Sequence, residues 1–181
     1  IPPALRRARI TLTYVLTGRT DDEILKQLEV DATKLSVEEL LYVATFDETA
    51  GKQKDIYTKT VQLYPNDYRA YNNLGLVEQL SGNLEAAKQW FTKAATINSN
   101  APEVNANLAL CALAEGNYEN AEAYLGRASE ADNYNELLAA LQVSKGNYVA
   151  AATNAKNGKS TTAALALLLN KDYASALTIL N

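Results

Sequence analysis

The sequence predicts an all-α fold, a solenoid of about four stacked helical hairpins, and a long internal repeat is the first reason. Leu74 and Leu108 lie 34 residues apart, and the same offset separates Gly82 from Gly116. Three further positions keep that offset: Ala87 with Ala121, Phe91 with Leu125, and Ala94 with Ala128. One hairpin cannot bury its own apolar face, so copies with a constant period are expected to stack.

The turn between the paired helices is the second reason. Gly82 is placed to end a first helix, because glycine adopts the left-handed conformation of a helix C-terminus at little cost. Asn83 follows as the N-cap of a second helix, and the Gly-Asn pair recurs at 116–117 and 146–147. A repeat domain is therefore predicted over 35–181, and its first segment keeps the pattern only weakly. The predicted hairpin segments are 35–65, 66–99, 100–131, 132–159 and 160–181.

The N-terminal part of the chain has a different pattern. RARITLTYVL, residues 7–16, alternates in the manner of a short β-strand. A lone strand is unstable in water, so it needs a partner from an upstream domain, an unrecognised segment or a second copy of the chain. A short helix is predicted next, because Thr20 and Glu23 form a capping box. Residues 1–34 are thus predicted to be a strand and helix that link the repeats to an upstream domain.

Composition excludes several classes of function. The chain has 181 residues, no histidine, one cysteine and a formal net charge of -4 at pH 7. The missing histidine removes the common nucleophile–base pairs and the usual zinc sites, so no catalytic residue, metal or cofactor is predicted. An acidic chain is not drawn to nucleic acid. The longest apolar run, 163–169, is too short to insert into a membrane.

The repeat resembles the tetratricopeptide repeat (TPR) family, whose unit is a helix–turn–helix of 34 residues. The family pattern of aromatic, Leu-Gly, Gly, Ala, aromatic and Ala is carried by Tyr71, Leu74-Gly75, Gly82, Ala87, Phe91 and Ala94. The next copy departs from it at Asn105, where the first aromatic is expected. The resemblance implies a right-handed superhelical α-solenoid of TPR-like hairpins, and a non-enzymatic scaffold that binds a protein or peptide partner.

In this family the first helices of successive hairpins line a concave face that holds the partner. The resemblance places the following residues there: Arg69, Asn72, Asn73, Leu76, Gln79, Glu103, Ala106, Asn107, Leu110 and Leu113. Asn73 and Asn107 are 34 residues apart, so we expect them to stack in one line. Their amides can hold a peptide backbone or brace the repeats against each other. Arg69 is the only cation in this set, which disfavours a clamp for a terminal carboxylate.

A second function remains open beside partner binding. The C-terminal helices are apolar almost to the last residue, so the module can also be a structural spacer that forms a homodimer through them. A single cysteine fits either the cytoplasm or the bacterial periplasm. The Asn-, Thr- and Tyr-rich composition and the small number of basic residues favour a bacterial cell envelope, with the cytoplasm as the alternative.

Overall fold

The computed structural model describes residues 18–47, 49–155 and 160–180, and all regular structure within these ranges is helical. The predicted strand over 7–16 lies outside the described residues. The α-helices are α1 (Asp21–Asp31), α2 (Val37–Val43), α3 (Ala50–Leu63), α4 (Tyr68–Leu80), α5 (Leu84–Ile97), α6 (Pro102–Ala114), α7 (Tyr118–Leu125), α8 (Tyr134–Ser144), α9 (Tyr148–Ala155), α10 (Thr161–Leu169) and α11 (Tyr173–Leu180). A short 3-10 turn, Ala32–Lys34, joins α1 to α2.

From α2 onward the helices form consecutive pairs, each joined by a short turn. α2 contacts α3, α4 contacts α5, and the series continues to α10 and α11. We call α2, α4, α6, α8 and α10 the first helices, and their partners the second helices. The described residues therefore contain five pairs, one more than the roughly four hairpins expected, and the prediction of an all-α solenoid is confirmed.

The turns have the predicted backbone conformation. Gly82, Gly116 and Gly146 adopt positive φ angles of 82°, 72° and 77°, which an L side chain would strain. In the last pair the equivalent residue is Lys171, with φ of 64°. Asn83 stands at the N-cap of α5 but makes no capping bond there, because its amide donates instead to the Glu78 carboxylate at 2.8 Å.

Helix α1 closes the N-terminal end of the array. It begins with the predicted capping box, in which Thr20 and Glu23 satisfy each other's backbone N–H groups, and Ser36 with Glu39 repeats the box at α2. Ile24 of α1 is buried in a cluster with Leu35, Leu40 and Val43. This small core holds α1 against the first hairpin.

The core between hairpins changes character along the chain. Around α4 to α6 it contains Tyr71, Phe91 and Leu108. Phe91 is fully buried and its ring leaves no room for a side chain at Gly75, since a Cβ there would lie 2.4 Å from the ring. Between α8 and α10 the core consists of alanines, among them Ala155 and Ala166. Aromatic residues thus separate the central hairpins, whereas small residues allow the C-terminal helices to pack closely.

Candidate functional site: the first-helix face

The first helices lie side by side and are joined by polar contacts between their N-terminal halves. On α4, Arg69 reaches Glu38 of α2 at 3.2 Å. On its other side, the Tyr68 hydroxyl donates to Glu103 Oε1 of α6 at 2.8 Å. These bonds link α2, α4 and α6 in sequence order, so the first helices form one layer.

One stripe of each first helix in this layer stays accessible. On α4 the half-buried or exposed residues include Arg69, Asn73, Leu76 and Leu80, which recur every three or four positions and so share a side of the helix. The same spacing relates Glu103 of α6 to Leu110 and Leu113. We call the surface formed by these stripes on α2, α4, α6 and α10 the first-helix face.

Two asparagines brace this layer from within. Asn107 is 8% exposed and Asn72 is 6% exposed, and the Asn107 amide donates to Asn72 Oδ1 at 2.9 Å. The predicted stack of Asn73 on Asn107 was therefore wrong. Consecutive helix residues point about 100° apart, and Asn72 is the one that faces the next hairpin. Asn73 instead hydrogen-bonds Tyr57 of α3, where burial raises the tyrosine pKa and this bond opposes the rise.

The cation on the face is already occupied. The Arg69 guanidinium binds both carboxylate oxygens of Asp67, with the shortest contact at 2.6 Å, in addition to Glu38. Hydrogen bonds from Arg69 hold the pKa of Asp67 below its ordinary value, and Asp67 in turn raises the pKa of Arg69. Arg69 therefore has two anionic partners, which agrees with the expectation that it is not a clamp for a peptide carboxylate.

Apolar side chains dominate the C-terminal halves of the first helices. Leu76 and Leu110 are half-buried and pack on neighbouring clusters. Four apolar residues that the sequence reasoning missed are more exposed: Leu80 (85%), Tyr42 (50%), Leu165 (47%) and Phe46 (38%). Two of them were within reach of the repeat, because subtracting 34 from the positions of Leu76 and Leu80 gives those of Tyr42 and Phe46. We call these six residues the apolar row.

The remaining predicted residues occupy intermediate positions. Gln79 is half-buried, and its Oε1 atom is buried without a hydrogen-bond partner. Ala106 is buried in the layer, whereas Leu113 is half-buried on the face. Glu103 is exposed and accepts the bond from Tyr68. The structure thus brings the predicted residues to one layer, where some hold the helices together and others stay accessible.

The described residues offer little for catalysis or metal binding. No group of three or more metal-ligating side chains occurs among them. Cys111 is buried, and burial raises the pKa of its thiol, which disfavours the reactive thiolate. Within the same residues, every helix is too short or too polar to span a bilayer.

Comparison with known protein families adds a name to the repeat. Two models of the tetratricopeptide repeat match, one over residues 56–89 and one over 79–144. Together they run from within α3 to the end of α8, and so include the α4 and α6 stripes of the first-helix face. A search of curated protein sequences found no match.

Solved structures share the architecture at low sequence identity. Pseudomonas aeruginosa pilF aligns with a TM-score of 0.64 and 22% identity, over 88% of this chain and 70% of that chain. The Yersinia enterocolitica secretion chaperone SycD, in complex with a peptide of the translocator YopD, gives 0.51 and 23%, over 60% and 94%. YrrB, a TPR protein with an unusual peptide-binding site, gives 0.58 and 17%, over 89% and 90%. These likenesses support the solenoid fold.

Proposed function

We propose that this chain, which belongs to the tetratricopeptide repeat family, is a non-enzymatic scaffold that binds a partner protein or peptide on its first-helix face. The observation that carries the proposal is the apolar row. Side chains such as Leu80, which is 85% exposed, contribute little to the core of the array. Exposed apolar surface of this kind marks interaction sites in soluble proteins.

Similar structures support this choice of surface and partner. SycD was solved with a bound translocator peptide, and YrrB is described by its peptide-binding site. In our proposal Leu76, Leu110 and Glu103 contact the partner, together with the exposed members of the apolar row. Asn72 and Asn107 keep the helices in register beneath it. A bacterial envelope location, periplasmic in particular, is part of the proposal and rests on composition.

A displayed library of random peptides tests the binding surface. Peptides selected on residues 1–181 are measured again on Leu80→Ser and on a matched control, Val149→Ser, which removes a side chain that is 72% exposed on the second helix α9. We expect most selected peptides to lose about fivefold in affinity on the Leu80 variant and little on the control, since one apolar side chain contributes about 1 kcal/mol or more when buried. Peptides equally insensitive to both variants would contradict the proposal.

A second candidate, self-association, is favoured by a separate observation at the C-terminal end. Helix α11 exposes Tyr173, Leu177 and Leu180 by 64%, 59% and 58%, at positions that share one side of the helix. Position 180 is equivalent to Phe91 and to Leu125, which are 0% and 3% exposed. A second copy of the chain can cover this stripe and form a homodimer.

Light scattering over a concentration series tests self-association. A dimer would give a mass near twice 19.7 kDa that falls toward the monomer value on dilution. The double variant Leu177→Ser/Leu180→Ser should then stay monomeric at all concentrations, and Val149→Ser serves again as the control. A wild-type mass that stays at the monomer value excludes this second candidate and leaves the first intact.

A further inference from the structure

Charge is distributed unequally between the two layers of helices. The first helices carry one arginine, Arg69, and five carboxylates: Glu38, Glu39, Glu78, Glu103 and Glu136. The second helices carry five lysines, Lys52, Lys54, Lys59, Lys88 and Lys93, against four carboxylates, Asp55, Glu85, Glu119 and Glu122. The layer that presents the apolar row is therefore the acidic layer.

Three of the five first-helix carboxylates stay exposed to solvent. Glu39 is held by Arg19 at 2.8 Å, and Glu78 is buried and held by Lys54 at 2.6 Å. Glu38, Glu103 and Glu136 are exposed in the first turns of α2, α6 and α8. They form an acidic edge beside the apolar row, and cations placed along that edge by a partner would be attracted to it.

The amides of the layer point to the conformation of the partner. An extended peptide needs donors and acceptors for its backbone, and the asparagines of α4 and α6 were the best candidates to supply them. Asn72 and Asn107 are bonded to each other, and Asn73 is bonded to Tyr57. A helical partner does not need these groups, because its backbone hydrogen bonds are made internally.

We propose that the first-helix face binds an amphipathic helix whose apolar stripe is flanked by lysine or arginine; this inference rests on the proposed function. The apolar stripe covers the apolar row, and the basic flank faces Glu38, Glu103 and Glu136. Packed helices lie about 8–10 Å apart, whereas helix residues seven positions apart are separated by about 10.5 Å. A partner with apolar residues in heptads therefore matches the spacing of successive first helices.

Three synthetic peptides of about 18 residues, long enough for five helical turns, test the inference on residues 1–181. The first carries a leucine stripe flanked by lysines. The second replaces every lysine by glutamate, and the third keeps the composition of the first but scrambles the stripe. Fluorescence anisotropy should give a Kd for the lysine peptide about tenfold lower than for either of the others, and the advantage over the glutamate peptide should shrink as salt is raised to about 0.3 M.

Matched variants locate the bound peptide. Leu80→Ser should weaken binding of the lysine peptide about fivefold, whereas Val149→Ser should leave it unchanged. Glu103→Gln with Glu136→Gln should weaken it about threefold and reduce its dependence on salt. The control Glu85→Gln with Glu119→Gln removes the same charge from exposed positions on second helices and should have little effect.

The outcomes separate this inference from the proposed function. Equal affinity for the lysine and glutamate peptides, equal affinity for the scrambled peptide, or no measurable binding of the lysine peptide would each overturn the inference. If the displayed library still yields peptides that are lost on Leu80→Ser, the scaffold proposal survives with a partner of different chemistry. If library peptides ignore that variant as well, both proposals fail.

Discussion

The central hairpins, α4 to α7, and the C-terminal hairpins, α8 to α11, are built on one plan but filled differently. At the position of Phe91 and Leu125 in the central second helices, the C-terminal helices have Ala155 and Leu180. Ala155 is buried, whereas Leu180 is 58% exposed. The aromatic side chains that separate the central hairpins have no counterpart in the alanine core between α8 and α10.

This difference bears on stability along the array. An alanine contributes far less buried apolar area than a phenylalanine, and each square ångström of burial contributes about 25 cal/mol. In a repeat protein, stability is approximately a sum over repeats and the interfaces between neighbours. The C-terminal hairpins should therefore open first, and the central hairpins should anchor the array.

The largest expected effect comes from removing the central aromatic. Phe91→Ala should lower the free energy of unfolding by about 3–5 kcal/mol, because the ring is fully buried between hairpins and the cavity refills poorly. Urea unfolding measures the loss, and hydrogen exchange shows where the array opens. Tyr173→Ala, which truncates an aromatic that is 64% exposed in α11, should cost much less. Equal losses would contradict the contrast between the two regions.

A smaller loss is expected from the asparagine pair. At the position of Asn107, the next hairpin has Leu137, which is buried without difficulty. Asn107→Leu should nevertheless cost about 1–3 kcal/mol, because Asn72 would keep a buried acceptor without a donor. Urea unfolding measures the loss, and Asn135→Leu on the exposed side of α8 is the control.

A double-mutant cycle checks the cause. Adding Asn72→Ala to the Asn107→Leu variant removes the stranded acceptor, so the two losses should add to less than their sum. Strict additivity would mean that the hydrogen bond between the two amides contributes nothing.

The comparison also shows what the sequence could and could not predict. The all-α solenoid followed from the 34-residue offset, because glycine, alanine and aromatic positions recur wherever helices must turn, approach or separate. The pairing of Asn107 with Asn72 did not follow, since two adjacent asparagines differ only in direction around the helix. The exposure of Leu80 was equally hidden, because a leucine in a helix is read as core until its neighbours are known.

The residues at the N-terminal edge of the site show a second limit of sequence reasoning. Tyr42 and Phe46 lie in the hairpin that matches the repeat pattern only weakly, so their place on the face was missed although the offset of 34 reaches them. Arg69 was correctly doubted as a clamp, but the bidentate bond to Asp67 depends on side-chain conformation that spacing alone does not reveal.

A pH-dependent difference should separate the two regions further. Glu78 accepts hydrogen bonds from Lys54 and Asn83, which hold its pKa below the ordinary value of 4.5. A lowered folded-state pKa stabilises the protein above the ordinary value, and this stability is lost as the pH falls through the lowered pKa. The equivalent bond in the C-terminal region, from Asn147 to Gln142 at 3.0 Å, is neutral and should not change with pH.

Glu78→Gln makes the central turn resemble the C-terminal one. It should cost about 1 kcal/mol at neutral pH, because a charge-assisted bond is replaced by a neutral one. The gap between wild type and variant should narrow as the pH is lowered, measured by urea unfolding at each pH. Glu119→Gln on the exposed surface of α7 controls for the loss of a carboxylate. A gap that stays constant down to about pH 3 would contradict the proposed linkage.

The smallest effect is expected at the turn of the last hairpin. Lys171 has φ of 64°, whereas the three equivalent residues of the preceding hairpins are glycines. A left-handed L residue is strained by about 1–2 kcal/mol, and glycine returns part of that gain as chain entropy. Lys171→Gly should therefore raise the stability of α10 and α11 by about 0.5–1 kcal/mol.

Gly146→Lys is the converse change and should destabilise the neighbouring turn by a similar amount, since Gly146 has φ of 77°. Hydrogen exchange resolved by hairpin measures both variants, because an effect of this size is confined to the helices that flank the turn. If the lysine-to-glycine change leaves exchange in α10 and α11 unaltered while Gly146→Lys accelerates it in α8 and α9, backbone strain at position 171 does not limit stability. The weakness of the C-terminal region would then lie in its alanine core alone.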